Sequence, residues 1–416
     1  MAPRHLLLAI LSATPESNSA RFRADSTRHK FPRSPTQKVG FKNKPRKYAV
    51  WEFPMNNRLR IACTGLVLAA TQAFPALADP ITIIDHENRT VTLEKSADRI
   101  ASIPIPVAST VIAIDGGIAR LVGMNPMSKS AIMESVLGKI FPEAREIPSD
   151  ITAPTFIPNV EELAATNPDL VIQWADRGPD LVDPITNAGL NALLISYGTQ
   201  QKMQEYHSMI ATAMGQPERA DAINGWHETV AAEMAEKAKA IDPARRPKVL
   251  YLDRAVGTLA ASGNQGNYNA WYIEELVGGL NASAEVVGRG TTISVEQIAE
   301  WNPDVILLNS FEPTLDLSRI YDDPILSLTK AAQNGKVYKM PLGGYRWDPP
   351  SQESPLAWMW LADLLHPDIF QYDLRAEMKK AYAMLYNYEL SDADIDGILF
   401  MNMQAETTNY AQFKAK

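Results

Sequence analysis

Cysteine occurs once in the 416 residues, at Cys63. A disulfide framework or a thiolate metal site needs more than one, so neither can hold this chain together. Histidine is nearly as scarce. Past position 78 only His86, His207, His227 and His366 remain, with no His-x-His pair and no HExxH helix. A protein-built zinc or manganese site would gather histidines with carboxylates, and no such gathering is visible. Also missing are a G-x-S-x-G elbow, a P-loop, a G-x-G-x-x-G after a strand and a Cys–His couple. The loop from Gly263 to Tyr268 lacks both the spacing and the lysine of a phosphate loop. With no nucleophile or base held by partners, neither enzyme activity nor a cofactor is expected. No stretch approaches the roughly 18 consecutive apolar residues that span a bilayer.

What is present is an ordinary globular composition, 46% hydrophobic and 21% charged, with length enough for two cores. Charge is divided unevenly. Residues 1–78 hold 13 of the 40 basic residues and 3 of the 48 acidic ones, leaving 27 basic against 45 acidic in 79–416, a net of −18. That part has no general affinity for nucleic acid phosphates. Met55 to Arg60 is a short basic head, Ile61 to Ala70 an apolar run, and Ala76-Leu77-Ala78 a small-x-small pattern before Asp79. Together they predict a secretory signal peptide over 55–78, hence a periplasmic mature protein. Residues 1–54, basic and proline-studded without helical or strand period, are read as lying upstream of the true start or as a disordered extension.

The most informative feature occurs twice. Val160 to Ile172 contains Val-Glu-Glu-Leu-Ala, then Asn167-Pro168-Asp169, then a β-branched run; Val295 to Leu307 repeats this with Asn302-Pro303-Asp304. Each copy predicts a short helix, a forced turn and a buried strand. A spacing of 135 residues, from Glu161 to Glu296, is too long for a solenoid and fits two similar lobes. The predicted fold class is α/β: two Rossmann-like lobes with central parallel sheets, 79–200 and 244–347, joined by a long backbone helix in 201–243. C-terminal helices and a tail follow over 348–416. The helix candidate from Pro217 onward has about twenty residues and would span roughly 30 Å.

Loops at the carboxyl ends of parallel strands face the crevice in open α/β folds. In the first lobe these ends carry Trp174, Arg177 and Tyr197; in the second, Arg254, Asn264, Asn267 and Tyr268, then Tyr345, Arg346 and Trp347. Arg289 is a further candidate. An aromatic wall beside a guanidinium suits a flat or chelated anion, because arginine offers a rigid fork of donors. The prolines Pro349-Pro350 would stiffen the last of these loops, and the asparagines precede a helix start whose N–H groups could face an anion.

The frame from Thr90 to Ile103, the two Asn-Pro-Asp segments and the central helix resemble one family. So do Gly278-Gly279-Leu280-Asn281-Ala282, Trp347-Asp348-Pro349-Pro350 and Leu364-Leu365-His366-Pro367. It is the substrate-binding proteins of iron–siderophore, haem, cobalamin and molybdate importers, and the likeness runs over nearly all of 79–390. The turn from Asp85 to Arg89 is more polar than the family's usual opening, and 391–416 is an extra tail. The resemblance implies a periplasmic monomer that captures a small-molecule metal chelate or oxyanion between its lobes. A ferric siderophore leads, with molybdate or tungstate, haem and cobalamin as alternatives. It would deliver this solute to a FecCD-like ABC permease dimer. In the family one exposed glutamate per lobe pairs with permease arginines, and Glu161 and Glu296 are the matching positions. Both also sit where a carboxylate stabilises a helix N-terminus.

Overall fold

Why the Asn-Pro-Asp segment appears twice is visible in its geometry. Asn167 and Asn302 both adopt left-handed backbone, with φ of 47° and 45°, a conformation that asparagine tolerates better than most residues. Each ends a short helix, Val160–Ala165 or Val295–Trp301, and the proline bars its continuation. The aspartate then reaches sideways. Asp169 accepts the N–H groups of Asp98 and Arg99 at 2.9 and 3.1 Å, and Asp304 accepts that of Lys248 at 2.9 Å. The motif thus staples the start of one strand to the neighbouring strand of the same sheet, in both lobes.

The computed structural model describes residues 80–415 apart from 256; the expected leader and basic extension lie outside the described residues. The first lobe opens with an antiparallel hairpin of β1 (Ile81–Ile84) and β2 (Thr90–Leu93). Its polar turn has a structural reason: buried Asp85 accepts the N–H groups of Glu87 and Arg89 and the Arg89 guanidinium, and also reaches Leu194. The main sheet comprises β3 (Ile100–Ser102), β4 (Leu121–Met124), β5 (Leu170–Trp174) and β6 (Ala192–Ile195), parallel in the order β4-β3-β5-β6. The second lobe contributes β7 (Lys248–Leu252), β8 (Leu259–Ala261), β9 (Leu280–Asn281), β10 (Thr291–Ile293), β11 (Val305–Leu308) and β12 (Val337–Lys339). Four of them form a parallel sheet, β12-β11-β7-β9, while β8 and β10 pair antiparallel. Taken in chain order, both main sheets run second, first, third, fourth. The lobes share one topology, as the repeat predicts.

The connecting segment departs from a single strut. Two helices, Gln200–Ala213 and Pro217–Lys239, lie side by side, joined through Asn224 to His207 and Ser208. Gly215, at φ 68°, makes the turn, and Pro217 occupies the first helical turn where its missing N–H costs nothing. The 23-residue helix spans about 34 Å at 1.5 Å per residue. Both lobes and these helices fall within one compact unit, Ala73–Lys416.

The helix Ser354–Leu365, buried in all but its last residue, packs against Leu374–Tyr386 and against the long helix Pro217–Lys239. His366 donates from Nε2 to the carbonyl of Gly278 at 3.1 Å, so two of the weak sequence motifs meet in space. The extra tail is folded onto the sheet. Gln404 accepts the N–H of Lys339 at 2.8 Å and donates to its carbonyl at 3.0 Å, while Tyr338 donates to the carbonyl of Thr408 at 2.6 Å. Among the described residues no helix is long and apolar enough to cross a membrane.

Candidate ligand cleft

In each sheet the strand order reverses beside the first strand, at β3/β5 in one lobe and β7/β11 in the other. Chains leaving such a point diverge and open a crevice at the carboxyl ends. A cavity of about 350 Å³ lies at the β7/β11 point of the second lobe, walled on its other side by the end of β6 in the first. The first lobe supplies Tyr197 and Gly198, just past β6. The second supplies Asp253 and Arg254 past β7, Ser262 past β8, and Arg289 and Gly290 before β10; Phe311 past β11 and Asp348 to Pro350 complete it. Two contacts tie the lobes across it: Tyr197 donates to the carbonyl of Pro350 at 2.8 Å, and Arg289 to that of Gly198 at 3.3 Å.

The carboxylates of the cavity are occupied from within. Asp348 is almost fully buried and accepts from the Tyr251 hydroxyl at 3.0 Å, the Ser310 N–H at 2.8 Å and the Ser310 hydroxyl. Burial pushes its carboxyl up, and these donors oppose the shift. Asp253 accepts from Ser262, whose oxygen in turn accepts the N–H of Gly290; burial raises Asp253 too, offset by Ser262 and by nearby Arg289. The arginines are different. Among the described residues those paired with carboxylates are Arg89, Arg120, Arg245, Arg319, Arg346 and Arg375. Arg254 and Arg289, both exposed at the cavity mouth, are not among them. The site therefore presents two guanidiniums outside any salt bridge, above a floor where the hydrogen-bonded carboxylates of Asp253 and Asp348 lie among hydroxyl and amide groups.

Of the residues singled out from sequence, Tyr197, Arg254, Asn267, Tyr268 and Arg289 come together in this cavity. Asn264 lines a neighbouring chamber that shares Asn267 and Tyr268. The helix after Asn267, Tyr268–Trp271, runs on as a π-helical turn to Leu276, and the Asn267 side chain caps the N–H of Asn269, so the expected anion-facing amides are partly consumed.

Trp174, Arg177, Tyr345, Arg346 and Trp347 do not line the cavity. Trp174 is 3% exposed, edge-on to Phe156 and Tyr197, and Arg177 lies over it at 4.2 Å and over Phe156 at 4.7 Å. The wall and the guanidinium do meet, but they stack on each other. Trp347 is a correction: it is fully buried, with its indole donating to Glu353 at 2.8 Å. Tyr345 is 2% exposed, and Arg346 is turned inward onto the Ser310 carbonyl, paired with Glu134 at 3.2 Å. That loop is anchored to the core through Glu353 and Ser310. Missed in the sequence were Asp348, Ser262 and Asn269. Asp348 lay in view beside Trp347, and nothing in its neighbours marks it as the residue facing the cavity.

Glu161 and Glu296 stand exposed in the first turn of their helices, at equivalent places in the two lobes. Bonds from its own N–H and from Ser294 hold the Glu296 carboxyl below its ordinary value. Among the described residues no group of three or more histidine, cysteine or acidic side chains is placed to hold a metal ion.

A family model described as periplasmic binding protein matches residues 155–342. A periplasmic solute binding protein of known structure from Veillonella parvula is 33% identical, with a TM-score of 0.72, covering 79% of this chain and 99% of that one. The molybdate-binding protein MolA of Haemophilus influenzae is 25% identical over 357 residues, 79% of this chain and 95% of that protein. The Fe(3+) dicitrate-binding periplasmic protein FecB of Escherichia coli is 24% identical, covering 67% and 86%.

Proposed function

Because the chain belongs to the periplasmic binding proteins whose two α/β lobes are joined by a helical backbone, we propose that it captures a compact, oxygen-rich anion for an ABC importer. The solute sits between the lobes, held by Arg254 and Arg289. The observation that carries this reading is that two guanidiniums outside any salt bridge stand at the mouth of a small cavity fed by both lobes. Guanidinium forks match oxyanion edges. The sequence favoured a ferric siderophore because aromatic residues gathered at strand ends. With Trp174, Tyr345 and Trp347 withdrawn into the core, that support weakens, and a tetrahedral oxyanion such as molybdate or tungstate moves ahead. The cavity is roomier than a bare oxyanion needs, which keeps a compact ferric carboxylate chelate as the second reading.

Titration calorimetry on the mature protein tests this with molybdate, tungstate, sulfate, ferric dicitrate, a ferric hydroxamate and haem. Molybdate or tungstate is expected to bind one to one. Arg254→Ala and Arg289→Ala should each weaken binding about 10–100-fold, as for loss of one charged hydrogen bond. Heat from the hydroxamate or haem alone, or full affinity in both variants, would place the site elsewhere.

Delivery to a FecCD-like permease dimer through Glu161 and Glu296 is part of the same proposal, supported by their exposure at matched positions. Charge reversal at both, Glu161→Lys with Glu296→Lys, should leave calorimetric affinity unchanged and abolish uptake in cells carrying the cognate permease. Uptake at the wild-type rate would rule out docking through these carboxylates.

A further inference from the structure

The neighbouring chamber, of about 450 Å³, has the opposite chemistry to the anion cavity. Gln200, Gln201 and Gln204 face it from the start of the helix Gln200–Ala213, and Asn264, Tyr268 and Trp271 from the second lobe; it has no lysine, arginine or histidine in its lining. The orientation of Gln200 is fixed by its neighbours. His227 Nε2 lies 3.0 Å from the carbonyl of Gln352, which can only accept, so that nitrogen carries the proton. Burial keeps the ring neutral, so Nδ1 must accept, and its partner at 2.9 Å is the Gln200 amide nitrogen. The Gln200 amide oxygen is left sealed from solvent without a partner.

The other amides aim donors at carboxylates. Gln201 donates to Glu205 at 2.8 Å, Gln204 to Glu228 at 3.3 Å and Asn264 to Glu274 at 3.1 Å. The side-chain carbonyl oxygens of Gln201 and Gln204 have no partner among the described residues, and the carboxylates of Glu205, Glu228 and Glu274 lie behind the amides. Beside these oxygens lie the rings of Tyr268 and Trp271, 5.9 Å apart and tilted by 36°. Aromatic faces, free acceptors and a negative surround attract an alkylated cation. An anion is repelled by the same carboxylates.

We infer that this chamber is a second ligand site, for a small organic ammonium ion. The inference goes beyond the anion reading and does not depend on it. Choline is the probe, set against its uncharged isostere in which a tert-butyl group replaces the trimethylammonium. Calorimetry should show choline binding at least about tenfold tighter than the isostere. Binding should be lost in Trp271→Ala and in Gln204→Lys, the latter a half-exposed position where the fold tolerates the change, with melting temperatures confirming that both variants are folded. Arg254→Ala, which weakens the anion cavity, should bind choline as the wild type does, so failure of one site is distinguishable from failure of the other. Equal affinity for the isostere, undiminished choline binding in Gln204→Lys, or no heat from choline up to roughly 10 mM would overturn the assignment.

Discussion

Replacing Glu353 with alanine is expected to cost at least about 4 kcal/mol of folding stability, since every donor left behind is buried. Glu353 is wholly enclosed and has no cationic partner. Four donors hold it: the N–H of Gly344 at 2.8 Å, the Trp347 indole at 2.8 Å, and the hydroxyls of Tyr382 at 3.1 Å and Tyr386 at 2.5 Å. Burial drives its carboxyl up and these donors draw it down. The two glycines before it belong to the same arrangement, because a Cβ on Gly343 or Gly344 would run into the Glu353 carboxylate. Glu353→Gln keeps one acceptor oxygen but turns an NH₂ toward donors, so about half the loss is expected. Urea unfolding measures both. A loss under about 1 kcal/mol for the alanine variant would mean that water replaces the carboxylate.

Acid should loosen the region between the lobes. His207 and His227 are fully buried with rings 6.1 Å apart, and desolvation lowers them from 6.5 to about 4 and about 3. The unfolded chain binds these protons more tightly than the folded one, so their contribution is complete above about pH 6.5. It is lost as pH falls from there toward the folded values. For the pair the loss between about pH 7 and pH 5 is on the order of 4 kcal/mol. Asp348, Glu353 and Asp363 pull the other way, because burial raises their carboxyls, that of Asp363 to about 6. The histidine part is therefore read as a difference. His227→Gln keeps a donor for the Gln352 carbonyl and an acceptor for Gln200 and should remove about half of the acid sensitivity of the melting temperature. Identical pH profiles for variant and wild type would show that His227 is not the group that titrates.

The lobes were legible because their signal is local and doubled: helix, Asn-Pro-Asp and strand all lie within thirteen residues. The arginines at the cleft were half legible. Arg254 directly follows a strand, so its direction was given, whereas Arg289 stands in an irregular loop before β10 and only the folded lobe brings it to Gly198. Residues 345–347 show what pattern alone cannot carry. An aromatic and cationic run after a strand reads the same whether it faces solvent or core, and here the choice is made by Glu353 and by two tyrosines more than thirty residues on. Trp174 is hidden for a similar reason, since it is covered by Phe156, at φ 69° in a loop without period.

The side chain of Gln404 lies against Lys339 as a peptide group of one more strand would, offering both its carbonyl and its NH₂ to the rim of the second sheet. A rim with unspent backbone groups is a template on which a second molecule can add its own strand and begin a fibre. The C-terminal segment thus occupies the backbone groups of Lys339 that a strand from another molecule would otherwise pair with.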